Sequence, residues 1–178
     1  FDSIASRVKS LYPEGGAVHR LDMGTSGVLV VAKTAQATSA LGRQFQDRKT
    51  EKYYYAWVWG QMEKLEGTVD LPLCVDWENR PRQQVNFEHG RRAITHYICQ
   101  RVEADRSLVK LKPITGRSHQ LRVHMMELGH PILGDHLYAP PEAQAAAPHL
   151  YLHAAMLSFN HPLSGERLSF EAPAPFPL

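Results

Sequence analysis

Asp22 is the first residue whose type and position could support chemistry. It follows His-Arg-Leu at 19–21 and precedes Met-Gly-Thr-Ser-Gly at 23–27, and such small residues let a ligand or another backbone segment approach closely. The apolar, β-branched residues that come next predict a buried strand over 28–33. A carboxylate at the mouth of a rigid strand can act as a nucleophile or an ion-pairing group. It can also cap backbone N–H groups of its own turn, and this stretch alone leaves both roles open.

A second polar cluster lies where the pattern predicts the start of a helix. Its members are Arg117, His119, Gln120, Arg122 and His124. The free N–H groups of a helix N-terminus attract anions, and neighbouring arginines strengthen that attraction. The sequence therefore predicts an anion-binding site at this point.

Two other kinds of catalytic site are not favoured. The spacings of His119, His124, His130 and His136 fit neither HExxH nor a closed zinc site, and no cysteine lies near them. We therefore expect no metal ion. Ser26 lies in Gly-Thr-Ser-Gly rather than in the Gly-x-Ser-x-Gly turn of a hydrolase nucleophile, so a Ser-His-Asp triad is not predicted either.

The distribution of charge points to a large anionic partner. The chain of 178 residues has a formal charge of +2, but residues 76–124 carry ten basic and five acidic side chains, whereas residues 125–178 carry one and five. Nucleic acid is the commonest large anion that binds such a basic region. The arginines predicted to contact phosphates are Arg80, Arg82, Arg91 and Arg92.

Composition favours a soluble protein of a reducing compartment. Cys74 and Cys99 form no CxxC pair and give no disulfide framework. No apolar run approaches the ~18 residues of a membrane span, and the N-terminus lacks a signal-peptide pattern. We therefore expect a cytoplasmic protein without membrane contact. The chain begins with Phe1 rather than Met, which is expected of a fragment or a trimmed product.

Residue periodicity predicts an α+β fold with a few helices and a mainly antiparallel mixed sheet. Helices are expected over 2–12, after a cap at Thr34 and after a cap at Ser118. Besides 28–33, strands are expected at 52–59, 93–102, 108–114, 150–159 and 167–172. Because no repeat or long linker divides the chain, residues 1–178 are expected to form a single domain. The Pro- and Ala-rich stretch 139–148 is interpreted as a surface excursion.

The aromatic strand at 52–59 has two distinct faces. Alternation places Tyr54, Ala56 and Val58 on one face and the remaining aromatic residues on the other. Both faces are apolar. The tyrosine and tryptophan ladder is therefore expected to pack within the sheet rather than to form a platform for stacked bases.

Five collinear motifs carry a family resemblance. They are HRLDMGTSGVLVVAKT, EKYYYAWVWG, TGRSHQLRVHM, GHPILGDHLYA and LHAAMLSFNHPLSGERLSFEAP. Together they span residues 19–173 and resemble the RluA family of pseudouridine synthases. The arginine-rich insert CVDWENRPRQQV further resembles the subgroup that acts on both ribosomal and transfer RNA.

The resemblance implies a pseudouridine synthase catalytic fold and an isomerase without a cofactor. The reaction cleaves the glycosidic bond of a uridine in RNA, rotates the uracil and rejoins it to the ribose through carbon. By motif position, Asp22 is the catalytic carboxylate, Arg122 is its basic partner and Tyr54 lies against the uracil. Tyr54 could stack on the base and relay a proton, or it could be a core residue only. The family's opening strand pair and Asn-Lys-Pro segment are not present, so the N-terminal strands are expected to be missing from this chain.

The implied substrate is RNA, namely stem-loops of large-subunit ribosomal RNA, of transfer RNA or of both, and the protein is expected to be a monomer. A paired uridine must be flipped out of its helix before it can react. The guanidinium of Arg20 could stack in the space left behind, or bind a phosphate. The predicted RNA-binding residues around Asp22 are His19, Arg20, Thr25, Arg117, His119 and Gln120. Two other functions remain open: an RNA-binding module without catalysis and an RNA glycosylase that releases uracil.

Overall fold

Eleven β-strands and four α-helices make up the fold, and a computed structural model describes all residues, 1–178. The helices are α1 (Ile4–Leu11), α2 (Ala35–Gln46), α3 (Gln120–Glu127) and α4 (Pro141–Ala145). The strands are β1 (Gly16–Ala17), β2 (Ser26–Gly27), β3 (Val31–Ala32), β4 (Glu51–Trp59), β5 (Glu66–Asp70), β6 (Leu73–Val75), β7 (Gln83–Val85), β8 (Ile94–Val102), β9 (Arg106–Pro113), β10 (Leu152–Asn160) and β11 (Arg167–Glu171). No helix combines the length and the apolar character that a membrane crossing requires.

Seven of the strands form one sheet. Its order is β11-β10-β4-β9-β8-β5, with β2 beside β10. Neighbouring strands are antiparallel except β2 and β10, which run parallel. The predicted α+β class with a mainly antiparallel mixed sheet is therefore confirmed. Two short ribbons, β1 with β3 and β6 with β7, complete the strand pairing.

One face of β4 lies in the main core. Tyr54, Ala56 and Val58 are buried there together, as strand alternation predicted. Leu121 and Met125 of α3 belong to the same apolar cluster. The helix that carries the second polar cluster thus packs on the same core that buries Tyr54.

On the opposite face of β4, Trp57 is buried and the other three aromatic residues are partly buried. Trp57 packs with Leu108, Leu133 and Phe176, and its indole N–H donates to the carbonyl oxygen of Pro177 at 2.7 Å. A buried indole that has found an acceptor is a packing residue. Trp57 therefore packs within the fold, as predicted for the aromatic ladder, whereas the other members of the ladder are only partly buried.

The first two helices begin at polar caps. The Thr34 hydroxyl accepts a hydrogen bond from the Ala37 N–H at 3.1 Å and starts α2, as predicted. Buried Leu41 and its neighbour Phe45 then pack against β10 in a smaller core. At α1, Ser3 forms the cap, so both N-terminal helices follow from local capping and one apolar face.

The predicted strand over 28–33 is wrong for most of its length. Only Val31–Ala32 is a strand, and it pairs with β1 rather than with the main sheet. The Val28 N–H donates to a carbonyl oxygen of β10, and the Val30 N–H donates to Nε2 of His19 at 3.0 Å. The backbone groups of this segment have partners outside a continuous ladder, and an apolar pattern carries no information about such partners.

The predicted cap of α3 is also wrong. The N-cap is His119, which has a left-handed φ of +54° and makes no side-chain hydrogen bond to the helix. The hydroxyl of Ser118 instead accepts a hydrogen bond from the guanidinium of Arg20 at 3.1 Å. This contact joins two segments 98 residues apart, so it could not be read from the local sequence.

The stretch 139–148 is more than a surface excursion. It contains α4, in which Ala143 has no exposed surface, and the Gly134 N–H donates to the Ala143 carbonyl at 3.0 Å. Small alanine side chains let this helix pack closely on its neighbours, which corrects the prediction. The strands β5, β6 and β7 were not predicted; they have three to five residues each.

Candidate active site

Asp22 lies in a tight turn between β1 and β2. The Thr25 N–H donates to the backbone carbonyl of Asp22 at 2.9 Å and closes the turn. The side chain is 19% exposed, and its Oδ2 atom lies 3.8 Å from Nη1 of Arg122. No backbone N–H in the protein bonds to this carboxylate, so the side chain does not cap its turn. It faces an arginine and a cavity that Tyr54 also lines.

Glycine fixes this turn against the main sheet. Gly27 has a φ of +119°, and a Cβ atom added to it would come within 2.1 Å of the Ala154 carbonyl oxygen on β10. Only glycine allows so close an approach of two backbones. The preceding hydroxyl, of Ser26, bonds to Nδ1 of His153 at 2.8 Å. The segment after Asp22 is therefore tied to β10 at two successive residues.

Arg122 is held by a second carboxylate, that of Asp135. Its Nε and Nη2 atoms donate to the two oxygens of Asp135 at 2.8 and 2.7 Å. Both side chains are buried, with 5% and 0% exposure. Burial opposes the charge of Arg122, but the hydrogen bonds and charge of Asp135 and the charge of Asp22 outweigh it and raise the pKa of the guanidinium. The arginine thus remains cationic, with Nη1 turned to Asp22.

Sequence reasoning missed Asp135. Its Oδ1 atom also accepts hydrogen bonds from the N–H groups of Leu137 and Tyr138, at 3.0 and 3.2 Å. The carboxylate is thereby fixed in the loop that follows α3. The residue lies within the motif GHPILGDHLYA, but the motif does not reveal which side chain it meets.

Tyr54 lines the cavity of Asp22 from the sheet. Its phenol makes no hydrogen bond within the protein, and burial together with the charge of Asp22 raises its pKa to about 12. The hydroxyl therefore stays protonated at neutral pH. The ring is also a core residue, and its predicted role against the uracil remains a prediction.

His119 closes another side of the cavity. Its left-handed backbone directs the ring to Tyr138, and Nδ1 lies 2.5 Å from the tyrosine hydroxyl. Burial lowers the pKa of the imidazole, although the charge of Asp22 opposes this shift. A neutral ring beside Asp22 is the expected state at neutral pH.

The side chain of Gln120 makes four hydrogen bonds within the protein. Its carbonyl oxygen accepts from the Thr115 hydroxyl at 2.7 Å and from the Arg117 N–H at 3.1 Å. Its amide donates to the Ile94 carbonyl and the Thr95 hydroxyl, at 2.9 and 3.0 Å. Since Gln120 is also 4% exposed, it positions the loop before α3, and its predicted contact with RNA remains a prediction.

Thr25 is distinctive because its buried hydroxyl has no hydrogen-bond partner, alone among the buried side-chain polar atoms of the protein. Leaving such a group unpaired costs about 1–3 kcal/mol. The residue lines the same cavity as Asp22. A ligand in this cavity could supply the missing partner.

A basic groove of about 680 Å³ adjoins the cavity of Asp22. Its basic lining residues are Arg20, Arg48, Lys52, Arg91, Lys112 and Arg117. Glu51 is the one acidic residue among them. Burial, followed by the charges of Arg91 and Arg48, lowers the pKa of Arg117, which reflects uncompensated positive charge. The predicted anion site is thus larger than a helix start.

His19 lines this groove without offering a charge. Its ring stacks on Phe45 at 4.4 Å between centroids, and Nε2 accepts from the Val30 N–H. Burial and then the charge of Lys52 lower its pKa to about 4. The ring is therefore neutral at neutral pH and supports the loop that carries Arg20.

The predicted loop arginines differ in their surroundings. Arg80 is exposed and lies over the Trp77 ring at 5.0 Å, and exposed Arg92 pairs with Asp70 at 3.2 Å. Arg82 instead donates to the Leu137 carbonyl and lies over the Tyr138 ring. Arg91 lines the basic groove. Arg82 therefore braces the loop of Asp135, whereas the guanidinium groups of Arg80, Arg91 and Arg92 are accessible to phosphates.

No group of three metal-ligating side chains (His, Cys, Asp or Glu) is close enough together to hold a metal ion. Three of the four histidines that suggested a metal have other partners, and His119 bonds to Tyr138 as described above. His124 bonds to Thr95 and to the Leu71 carbonyl, and His130 bonds to the Trp59 carbonyl.

The fold and this site define an RNA pseudouridylate synthase domain. The structure is similar to that of human RNA pseudouridylate synthase domain containing 1, with a TM-score of 0.83 and 29% sequence identity over 98% of this chain and 75% of that one. A second human structure, RNA pseudouridylate synthase domain containing 4, matches with a TM-score of 0.78 and 26% identity over 97% of this chain and 77% of that one.

Sequence comparison finds a matching family profile and relatives of higher sequence identity than these two structures. Residues 3–127 match the profile of the family described as RNA pseudouridylate synthase. The dual-specificity RNA pseudouridine synthase RluA of Escherichia coli K12 is 56% identical over 176 residues, which cover 98% of this chain and 80% of that protein. The protein of the same description from Pasteurella multocida is 53% identical over 99% of this chain and 81% of its own length. The chain belongs to the RNA pseudouridylate synthase family, as its motifs predicted, and it is an RNA pseudouridine synthase.

Proposed function

We propose that Asp22 is the catalytic carboxylate and that the enzyme isomerises uridines in ribosomal RNA, in transfer RNA or in both. The observation that carries this proposal is the pairing of Asp22 with Arg122 at the rim of a cavity that opens into a basic groove. The guanidinium of Arg122 gives Asp22 a cationic neighbour that can hold the carboxylate in position. The basic groove supplies positive charge that attracts the phosphates of an RNA strand.

The proposed reaction needs only groups of the protein and the RNA. The C1′–N1 bond of the uridine breaks, a C1′–C5 bond forms, the proton on C5 leaves and N1 gains a proton. Asp22 assists the cleavage as a nucleophile or as an ion-pairing carboxylate. Tyr54 packs against the uracil and passes on a proton through its hydroxyl, and Thr25 and His119 contact the nucleotide in the same cavity.

A paired uridine reaches Asp22 only after it has been flipped out, which costs a few kcal/mol. Arg20 is exposed, lines both the groove and the cavity, and is steadied by Ser118. We propose that its guanidinium stacks in the vacated position. Phosphates would then lie along the groove, beside Arg91 and Arg117.

Nucleoside analysis of RNA after incubation with the protein tests this function. We expect pseudouridine in an RNA of unchanged mass and chain length. Free uracil and abasic sites would indicate a glycosylase, and bound but unchanged RNA would indicate a binding module. Either result would overturn the proposed isomerisation of these RNAs.

The finer assignments rest on analogy with the curated relatives. The insert CVDWENRPRQQV lies in the loop that carries Arg80 and Arg82, and it supports a substrate range that includes stem-loops of both RNA classes. We propose that residues 1–178 act as one catalytic domain, as a monomer in the cytoplasm, where bacterial ribosomal and transfer RNA are found.

Tyr54→Phe should lower the rate of the chemical step by about 10²-fold and leave RNA affinity unchanged within about twofold, because the ring and its packing remain while the proton relay is lost. Single-turnover rates and equilibrium binding measure the two effects. Tyr97→Phe is the matched control, since Tyr97 is buried in the same core but does not line the cavity. Wild-type rates for Tyr54→Phe would assign the residue to packing and stacking alone.

Changing Arg80 and Arg91 together to Ala should flatten the dependence of log affinity on log salt by roughly 1 to 2 units, since each phosphate contact contributes about 0.7 to 0.9. Affinity should fall equally for cognate and unrelated RNA, because phosphate contacts carry no sequence information. Arg7→Ala with Lys64→Ala removes the same charge from exposed positions outside the groove. An equal change of slope in both double variants would contradict phosphate binding by the loop.

A further inference from the structure

Lys52 is a cation of the site that the mechanism does not use. It lies on β4 opposite Leu157 of β10, two residues before Tyr54, so both side chains project from the same face of the strand. A Cβ atom placed on Gly116 would lie 3.6 Å from the Lys52 Nζ atom, which locates the ammonium beside the loop that precedes α3. Lys52 lines both the basic groove and the cavity of Asp22. It therefore marks the point where the two meet.

This ammonium has no partner within the protein. No acceptor bonds to it and no carboxylate forms an ion pair with it, and burial, with nothing to offset it, lowers its pKa. Three other cations that lie close to this cavity have partners: Arg122 pairs with Asp135, Arg20 donates to the Ser118 hydroxyl and Arg117 donates to the Arg92 carbonyl. A partly buried and unpaired charge is costly, so an anion that reaches this junction would be bound with little competition.

The features of the junction favour a phosphate over other anions. An ammonium is a compact point charge with three donors, which suits phosphate oxygens. The neighbouring residue is a glycine, which leaves room for a phosphate group beside the Nζ atom. The positive charges of Arg20 and Arg117 line the same two cavities, so the local potential favours an anionic strand.

We propose that Lys52 binds a backbone phosphate next to the flipped uridine, where the RNA strand passes from the basic groove into the cavity of Asp22. Lys52 is then a positioning residue for the substrate and takes no part in the bond changes. This inference rests on the proposed function, because it needs an RNA strand in the groove and a nucleotide in the cavity.

The test combines Lys52→Met with a synthetic stem-loop RNA that the wild-type protein binds and that contains a candidate target uridine. In a series of these RNAs, one phosphate near the target is replaced in turn by an uncharged methylphosphonate. Lys52→Met should weaken binding of the unmodified RNA by about 10- to 100-fold, the value of a hydrogen bond to a charged group. The methylphosphonate at the linkage that Lys52 contacts should weaken RNA binding by the wild-type protein to a similar degree. The same methylphosphonate should not weaken RNA binding by Lys52→Met any further. Lys52→Arg should recover part of the affinity.

Three further measurements separate this role from others. KM should rise in Lys52→Met while kcat changes by less than about threefold, since the lost contact holds the RNA equally before and during the reaction. The Tm should stay equal or rise, because an unpaired charge is replaced by an apolar side chain of similar length. Lys33→Met is the matched control, because Lys33 lies over the Tyr12 ring, outside both cavities. Any loss of RNA affinity in this variant should add to the loss caused by each methylphosphonate.

Additive losses for Lys52→Met at every linkage would overturn the phosphate contact. A fall in kcat with unchanged KM would assign Lys52 to the chemistry instead, and a large fall in Tm would assign it to the fold. Failure of the proposed function is a separate result: the wild-type protein would then bind the stem-loops without forming pseudouridine.

Discussion

Asp22→Asn should abolish pseudouridine formation, with a loss of at least about 10⁴-fold in the single-turnover rate. Asparagine keeps the shape of the side chain but removes the charge that Arg122 holds at 3.8 Å. RNA affinity should change by less than about threefold, because a carboxylate makes no favourable contact with phosphate. Nucleoside analysis measures the first effect and equilibrium binding the second.

The fold should tolerate this change. Arg122 keeps its two hydrogen bonds to Asp135, and the turn at Asp22 is closed by backbone atoms alone. Asp47→Asn is a suitable control, since Asp47 is exposed at the end of α2 and does not line the cavity. If Asp22→Asn loses binding and turnover to the same degree, the residue has a structural role and the proposed mechanism is wrong.

The local sequence predicted those parts of the site that depend on periodicity. Strand alternation placed Tyr54 on the inner face of β4, and helical spacing placed Arg122 at the start of α3. The turn of small residues placed Asp22 before a segment that approaches another backbone, as Gly27 does at β10. In each of these cases the pattern that carried the prediction lies within a few residues along the chain, although the partner of Gly27 itself is distant.

The parts that the sequence did not predict depend on contacts between distant segments. Asp135 bonds to Arg122 from the loop that follows α3, and Lys52 of β4 lies beside Gly116 in the loop that precedes α3. Neither pair has a characteristic spacing. The wrong cap at Ser118 has the same cause, because its hydroxyl bonds to Arg20, 98 residues away. That contact ties the segment before Asp22 to the segment before α3.

Asp135→Asn should have the largest effect on stability, with a loss of about 3–5 kcal/mol in the free energy of unfolding. The buried guanidinium of Arg122 would lose its charged partner and one strong hydrogen bond, and its nearest remaining carboxylate is that of Asp22, at 3.8 Å. Urea unfolding measures the loss. Asp70→Asn is the matched control, because the Asp70–Arg92 pair is exposed and such pairs contribute only about 0–1 kcal/mol.

The buried pair of Arg122 and Asp135 allows the effects on stability and on catalysis to be separated. Changing Arg122→Met together with Asp135→Asn removes both buried charges, and the asparagine oxygen can still accept from the Leu137 and Tyr138 N–H groups. This double variant should recover most of the stability lost in Asp135→Asn alone. Pseudouridine formation should remain absent in this double variant, because Asp22 no longer faces a cation. If Asp135→Asn costs no more than Asp70→Asn, then Asp135 does not anchor Arg122. If the double variant is active, the proposed dependence of Asp22 on Arg122 is wrong.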